Sequence, residues 1–197
     1  MKNSLSLFRI GGIDVGVHYT WLFIFLLLKC SLAEGYFPEL YPSWNTATYW
    51  ITGLIAALLL FVSVLIHELA HSFIARWRGM EVSSITLFIF GGVSNLEDEP
   101  EKAMAEFTMA IVGPLTSLVL AGIFWGSNWL IANEQSALCA MLGYLALINL
   151  ILAIFNLVPG FPLDGGRVLR SILFRDYSGF LALKFSRPCL LYNRQNF

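Results

Sequence analysis

From Thr48 to Trp77 the chain is apolar almost without interruption, and its centre, Ala57 to Ala75, reads ALLLFVSVLIHELAHSFIA. A helix needs roughly 20 apolar residues to cross the hydrocarbon core of a bilayer, so this stretch can span one. Yet His67, Glu68 and His71 stand inside it. Ionisable groups at membrane depth are expensive unless they pair, bind something or line a wet cavity. A membrane helix that carries three of them together has polar work to do there.

Three more stretches are long and apolar enough to count as spans, at about Val15 to Leu32, Ala103 to Trp125 and Ala137 to Val158. A fifth, Val168 to Leu183, is short and broken by Arg170, Arg175 and Asp176, and is not counted. The composition agrees. Of 197 residues, 57% are hydrophobic and 13% charged, against about a quarter charged in soluble domains. Lipid is the solvent for most of this chain. The net charge of −1, without a basic stripe, excludes nucleic acid as a partner. Cys30, Cys139 and Cys189 are far apart and lack C-x-x-C spacing, so they read as small apolar residues. Residues Met1 to Asp14 are mixed and glycine-bearing, with no cleavage site after the first apolar run, and are not expected to be a removed signal.

Cytoplasmic loops collect Lys and Arg. Lys2 and Arg9 precede the first span, Arg76, Arg78 and Lys102 separate the second from the third, and Arg167, Arg170 and Arg175 follow the fourth. The opposite side holds only Lys29, which can snorkel to the interface. Lys184, Arg187 and Arg194 in the tail are left unassigned. The N-terminus is therefore expected in the cytoplasm, with the cell membrane as the location. Between the second and third spans, EVSSITLFIFGGVSNLEDEP (81–100) is β-branched and aromatic around Gly91-Gly92. It reads as one or two strands with a turn at about 81–96, or as an amphipathic interfacial loop. The expected architecture is an all-α polytopic membrane protein of four or more spans, with a small β-hairpin or strand element on the cytoplasmic side.

His67-Glu68-Leu69-Ala70-His71 is an H-E-x-x-H motif on a helix. Histidines four apart share one face and can grip one metal ion, while Glu68 lies about 100° around and can polarise a bound water. A catalytic zinc takes three protein ligands and keeps one position open. The third is sought among His18, Asp14, Glu106, the acidic run Glu97, Asp98, Glu99 and Glu101, and Asp164. His18 reads as an interfacial histidine and the acidic run as a solvated face. Asp164 stands apart within N156-L-V-P-G-F-P-L-D164-G-G. There Pro159 and Pro162 end the fourth helix, and Gly165-Gly166 allows the carboxylate to be delivered on an irregular segment. The competing role for Asp164 is a helix N-cap ahead of Val168-Leu169. Asn156 taken alone reads as a plain helix C-terminal cap or an inter-helix bond, and Asn149 as a polar contact between helices.

Together, H67-E-L-A-H71 on a membrane helix and N156-x-x-P-x-x-x-x-D164-G resemble the site-2 protease family of intramembrane zinc metalloproteases. The Gly91-Gly92 turn and Gly113-Pro114 in the third span are similar to that family's pattern as well. The resemblance covers about residues 5–175. It implies a three-helix catalytic core formed by spans two, three and four. It also implies one Zn2+ held by His67, His71 and Asp164, Glu68 as general base, and Asn156 holding the scissile carbonyl. The implied partner is a membrane-embedded protein substrate, held extended near Phe88 to Val93 and cleaved within or beside the bilayer. Family members usually carry six spans, so the expectation is a metalloprotease domain over 1–175 and an atypical tail over 176–197, as a truncated chain would carry. A catalytically silent scaffold would be expected to lose Glu68 or a ligand, and a transporter to show inverted repeats; neither sign is present.

Overall fold

A computed structural model of the chain describes residues 4–88, 91–96, 103–131, 135–160 and 162–176. The expected tail, the acidic run Glu97 to Glu101 and Cys189 lie outside the described residues, as does the 177–183 part of the uncounted fifth stretch.

The chain opens on a hairpin, β1 (Ser4–Ile10) and β2 (Ile13–His18). Gly11 and Gly12 make its turn at φ +55° and +84°, a region that favours glycine. The first apolar run therefore starts later than its composition suggests. Ile13 and Val15 are buried strand residues flanking exposed Asp14, and the helix begins only at Tyr19. Helix α1 (Tyr19–Ser31) passes through a π-helical turn (Leu32–Tyr36) into the short helix α2 (Phe37–Leu40).

Helix α3 (Thr46–Trp77) starts on Asn45, whose side chain accepts from the Thr48 N–H at 2.9 Å. It stops at Gly79, which takes the left-handed conformation at φ +87°. Its 32 residues measure about 48 Å, well over the roughly 30 Å hydrocarbon core. The chain then returns to the sheet as β3 (Val82–Phe88) and β4 (Gly91–Leu96). Two more long helices follow, α4 (Ala103–Trp129), with Pro114 inside it, and α5 (Ala137–Asn156), N-capped by Ser136. The last among the described residues is α6 (Asp164–Asp176), amphipathic and charged, which lies outside the membrane-crossing set.

Among the described residues, four helical segments, Tyr19–Leu40, Thr46–Trp77, Ala103–Trp129 and Ala137–Asn156, are long and apolar enough to cross a membrane. The protein is a multi-pass helical membrane protein. Its β element is larger than the expected hairpin: a four-stranded sheet in the order β1-β2-β3-β4. The central pair is parallel, Val15 opposite Ile85 and Val17 opposite Leu87, and the outer pairs are antiparallel. Parallel strands need a long crossover, and here helices α1 to α3 provide it.

Two apolar clusters hold these parts together. Phe25, Leu32, Phe37, Ala56, Ala57, Leu60, Tyr144 and Leu145 join α1–α3 to α5. Ile13, Leu69, Ala75, Val82, Ile85 and Met109 seat the sheet against α3 and α4. Small residues bring the helices close, Gly53 lying against the Lys29 carbonyl. Large side chains such as Phe23, Ile51, Leu58, Val119, Ile123 and Ile154 point outward, as lipid-facing positions allow.

Candidate metal centre and cavity

The helical period puts His67 and His71 one turn apart on α3, both buried and facing α4. Met109, Gly113 and Ser117 of α4 recur every fourth residue and present one stripe toward them. Each histidine spends its Nδ1 on that stripe. His71 Nδ1 donates to the Met109 carbonyl at 2.6 Å, and His67 Nδ1 pairs with the Ser117 hydroxyl at 2.9 Å. A ring nitrogen engaged in this way fixes the orientation of the imidazole and turns the other nitrogen toward the site.

The two Nε2 atoms converge with the Asp164 carboxylate. His67 Nε2 lies 3.1 Å from Asp164 Oδ2, His71 Nε2 lies 3.2 Å from it, and the two Nε2 atoms are 3.2 Å apart. A neutral His71 that donates through Nδ1 carries a lone pair on Nε2, so electron-rich atoms crowd one point and call for a positive charge. A tetrahedral zinc site with bonds of about 2.0–2.1 Å has ligand–ligand edges of about 3.3 Å, close to the observed triangle. The donor set fits such an ion. Space is reserved for it too: a Cβ on Gly113 would stand 2.6 Å from His67 Nε2 and closer still to His71 Nε2. A metal ligand must be deprotonated, and the Asp164 carboxylate is the negative member of this donor set.

Asp164 reaches this point differently from the sequence-based expectation. It is the first residue of α6 instead of part of an irregular segment, and Gly165-Gly166 lie in that helix's first turn. Gly165 is needed there because any Cβ would overlap the backbone of Leu157 and Val158.

Glu68 lines a cavity of about 300 Å3 whose wall also includes His67 and Asn156. Apolar side chains of α1, α3 and α5 complete it, together with Leu87 and Phe88 at the end of β3. Asn156 donates from Nδ2 to the Leu152 carbonyl at 3.0 Å. Asn149 bonds Ser63 at 3.2 Å across to α3 and is fully buried, an inter-helix contact.

The other ligand candidates among the described residues are occupied elsewhere. His18 caps α1 and pairs with the Thr20 hydroxyl, Asp14 pairs with Arg9 at 3.3 Å, and Glu106 pairs with Arg170 at 2.6 Å. Among the described residues, His67, His71 and Asp164 form the one cluster able to hold a metal ion. Ser117 and the Met109 carbonyl were not singled out from the sequence. Their only trace is a four-residue spacing around Gly113.

Residues 55–133 and 129–178 match the sequence model of Peptidase family M50. A candidate zinc metalloprotease of Synechocystis is 45% identical over 179 residues, covering 89% of this chain and 45% of that protein. A zinc metalloprotease of Methanocaldococcus jannaschii is 35% identical over 187 residues, covering 92% and 48%. The chain thus spans about half the length of these curated relatives. A solved site-2 protease from Methanocaldococcus jannaschii superposes with a TM-score of 0.60 at 34% identity, over 91% of this chain and 75% of that one. With the two motifs on adjacent walls of one buried site and both segments matched, the chain belongs to peptidase family M50.

Proposed function

We propose that this chain is a zinc-dependent endopeptidase that cleaves membrane-embedded protein segments, its catalytic unit lying within residues 1–175. The observation that carries the reading is the placing of Glu68 and Asn156 on one cavity wall beside the His67, His71 and Asp164 triangle. His67, His71 and Asp164 hold one Zn2+, as the names of the relatives suggest. When bound, zinc supplies a Lewis acid that polarises a peptide carbonyl and acidifies water. The chain's own groups do the rest. Glu68 takes a proton from the attacking water and delivers it to the leaving amine. Asn156 turns its carboxamide N–H from the Leu152 carbonyl to the developing oxyanion. The apolar lining excludes bulk water, so each of these contacts acts in a low dielectric.

A peptide bond inside a helix is closed to attack, so the substrate must be held extended. Strand β3 is paired on both sides, and of the two edge strands, β1 and β4, the one beside β3 is β4, to whose edge an extended segment adds. Leu87 and Phe88, at the end of β3, lead from that sheet to the cavity. The Lys and Arg asymmetry supports an N-terminus and a site opening on the cytoplasmic face of the cell membrane.

The test compares purified wild type with Glu68→Gln, measuring zinc content and cleavage of a single-span reporter together. Gln keeps the size and hydrogen bonding of Glu but is no base. Expected are unchanged zinc and turnover lower by at least about 10²-fold, the lower range for a lost general base. Undiminished cleavage would falsify the mechanism, and lost zinc would make Glu68 a ligand.

A further inference from the structure

Glu106 has no place in the proposed reaction, yet it is 3% exposed in the first turn of α4. Its Oε1 accepts from Arg170 Nε at 2.7 Å and from Arg170 Nη2 at 2.6 Å. Arg170 lies on α6, six residues beyond Asp164. Three residues beyond Glu106, on the same helix, the Met109 carbonyl orients His71.

We propose that Glu106 and Arg170 are a positioning pair. Their ion pair holds α6 on α4 so that Asp164 meets the same point as the two histidines. The inference rests on the zinc site proposed above and adds a determinant of its metal affinity.

The need for such a pair follows from how α6 is attached. The helix follows a segment with Pro159, Gly160 and Pro162, and it packs on α4. At its start, Gly165 lies against the backbone of Leu157 and Val158, which fixes a point and not a direction. Packing on α4 by itself has little directionality, so the helix can still slide or rock on that surface. Arg170, nearly two turns on, supplies the second point, and α4 is also the helix whose stripe sets both imidazoles. One rigid helix thereby references all three donors. Buried ion pairs are poor sources of net stability because desolvation cancels most of the attraction. Their strength is directional: the planar guanidinium accepts few geometries. That suits a part whose task is placement.

Zinc affinity is to be measured by chelator competition in detergent, below the unfolding temperature of every protein compared. The set is wild type, Glu106→Gln, Arg170→Gln and the double variant. Each single variant should bind zinc about 10–100-fold more weakly, the range for lost outer-shell partners. The double variant should be no worse than the poorer single, since the two residues act as a unit. If Arg170→Gln fails to fold because it leaves the buried Glu106 charge unpaired, the double variant, which has no such charge, must still show the weakened binding. Wild-type affinity in the variants, or a lower Tm with unchanged affinity, overturns the proposal, as does an additive double variant. A wild type that holds no zinc at His67, His71 and Asp164 defeats the site reading instead, so the two failures are distinguishable.

Discussion

Replacing Gly113 by Ala adds a single methyl group, and the structure states what that methyl meets. The new Cβ would lie 2.6 Å from His67 Nε2 and closer to His71 Nε2, where van der Waals contact needs well over 3 Å. Either α4 retreats or both imidazoles turn. In both cases the bonds from His67 to Ser117 and from His71 to Met109 are stretched or lost. Each such outer-shell contact is worth about 10–100-fold in metal affinity, so zinc binding should fall by about 10²-fold or more. The sign cannot come from helix stability, because Gly→Ala inside a helix is favourable by about 1 kcal/mol. Gly122→Ala on the same helix meets nothing within 4 Å and serves as the control. Chelator competition on the two purified variants, with reporter cleavage beside it, gives the comparison. If Gly113→Ala binds zinc like Gly122→Ala, the donor triangle is not set by the approach of α4, and the reasoning fails.

Removing a donor should be more severe: His67→Ala, His71→Ala or Asp164→Ala is expected to purify nearly free of zinc by elemental analysis. Retention by Asp164→Ala would unseat the third ligand. Asn156→Ala should keep its zinc and lose less turnover than Glu68→Gln, since an oxyanion donor supports a proton transfer that remains intact; single-turnover cleavage at saturating reporter reads this directly. For topology, cysteines placed near Gly79 and near Tyr41, in a background without Cys30, Cys139 and Cys189, should be protected and labelled respectively by a membrane-impermeant reagent on intact cells. The opposite labelling would invert the orientation drawn from the charge bias.

Much of this protein is written in short-range pattern. Long apolar runs announce the membrane helices because transfer into hydrocarbon is a property of composition alone. His67 and His71 can be paired without a structure, since a helix returns to the same face after four residues. Asp164 is also conspicuous, set among prolines and glycines that break the preceding helix. Its local setting is not legible, because a first-turn residue of α6 and a loop residue share the same Pro and Gly surroundings.

The remainder depends on meetings between distant segments, which no local period encodes. Ile13, Val15 and Val17 merge with the apolar run that follows them, and only the parallel pairing with Ile85 and Leu87 reveals a strand. Glu106 looks like any first-turn carboxylate until α6 brings Arg170 against it. Ser117 and the Met109 carbonyl gain a role only where α4 crosses α3. Sequence alone therefore determined which segments leave water and which side chains are chemically able to hold a metal, because solvation and helical period act locally. Tertiary packing decided which donors share one point and which charges hold them there, because a convergence of 3.1–3.2 Å between residues nearly a hundred positions apart exists only in the folded chain.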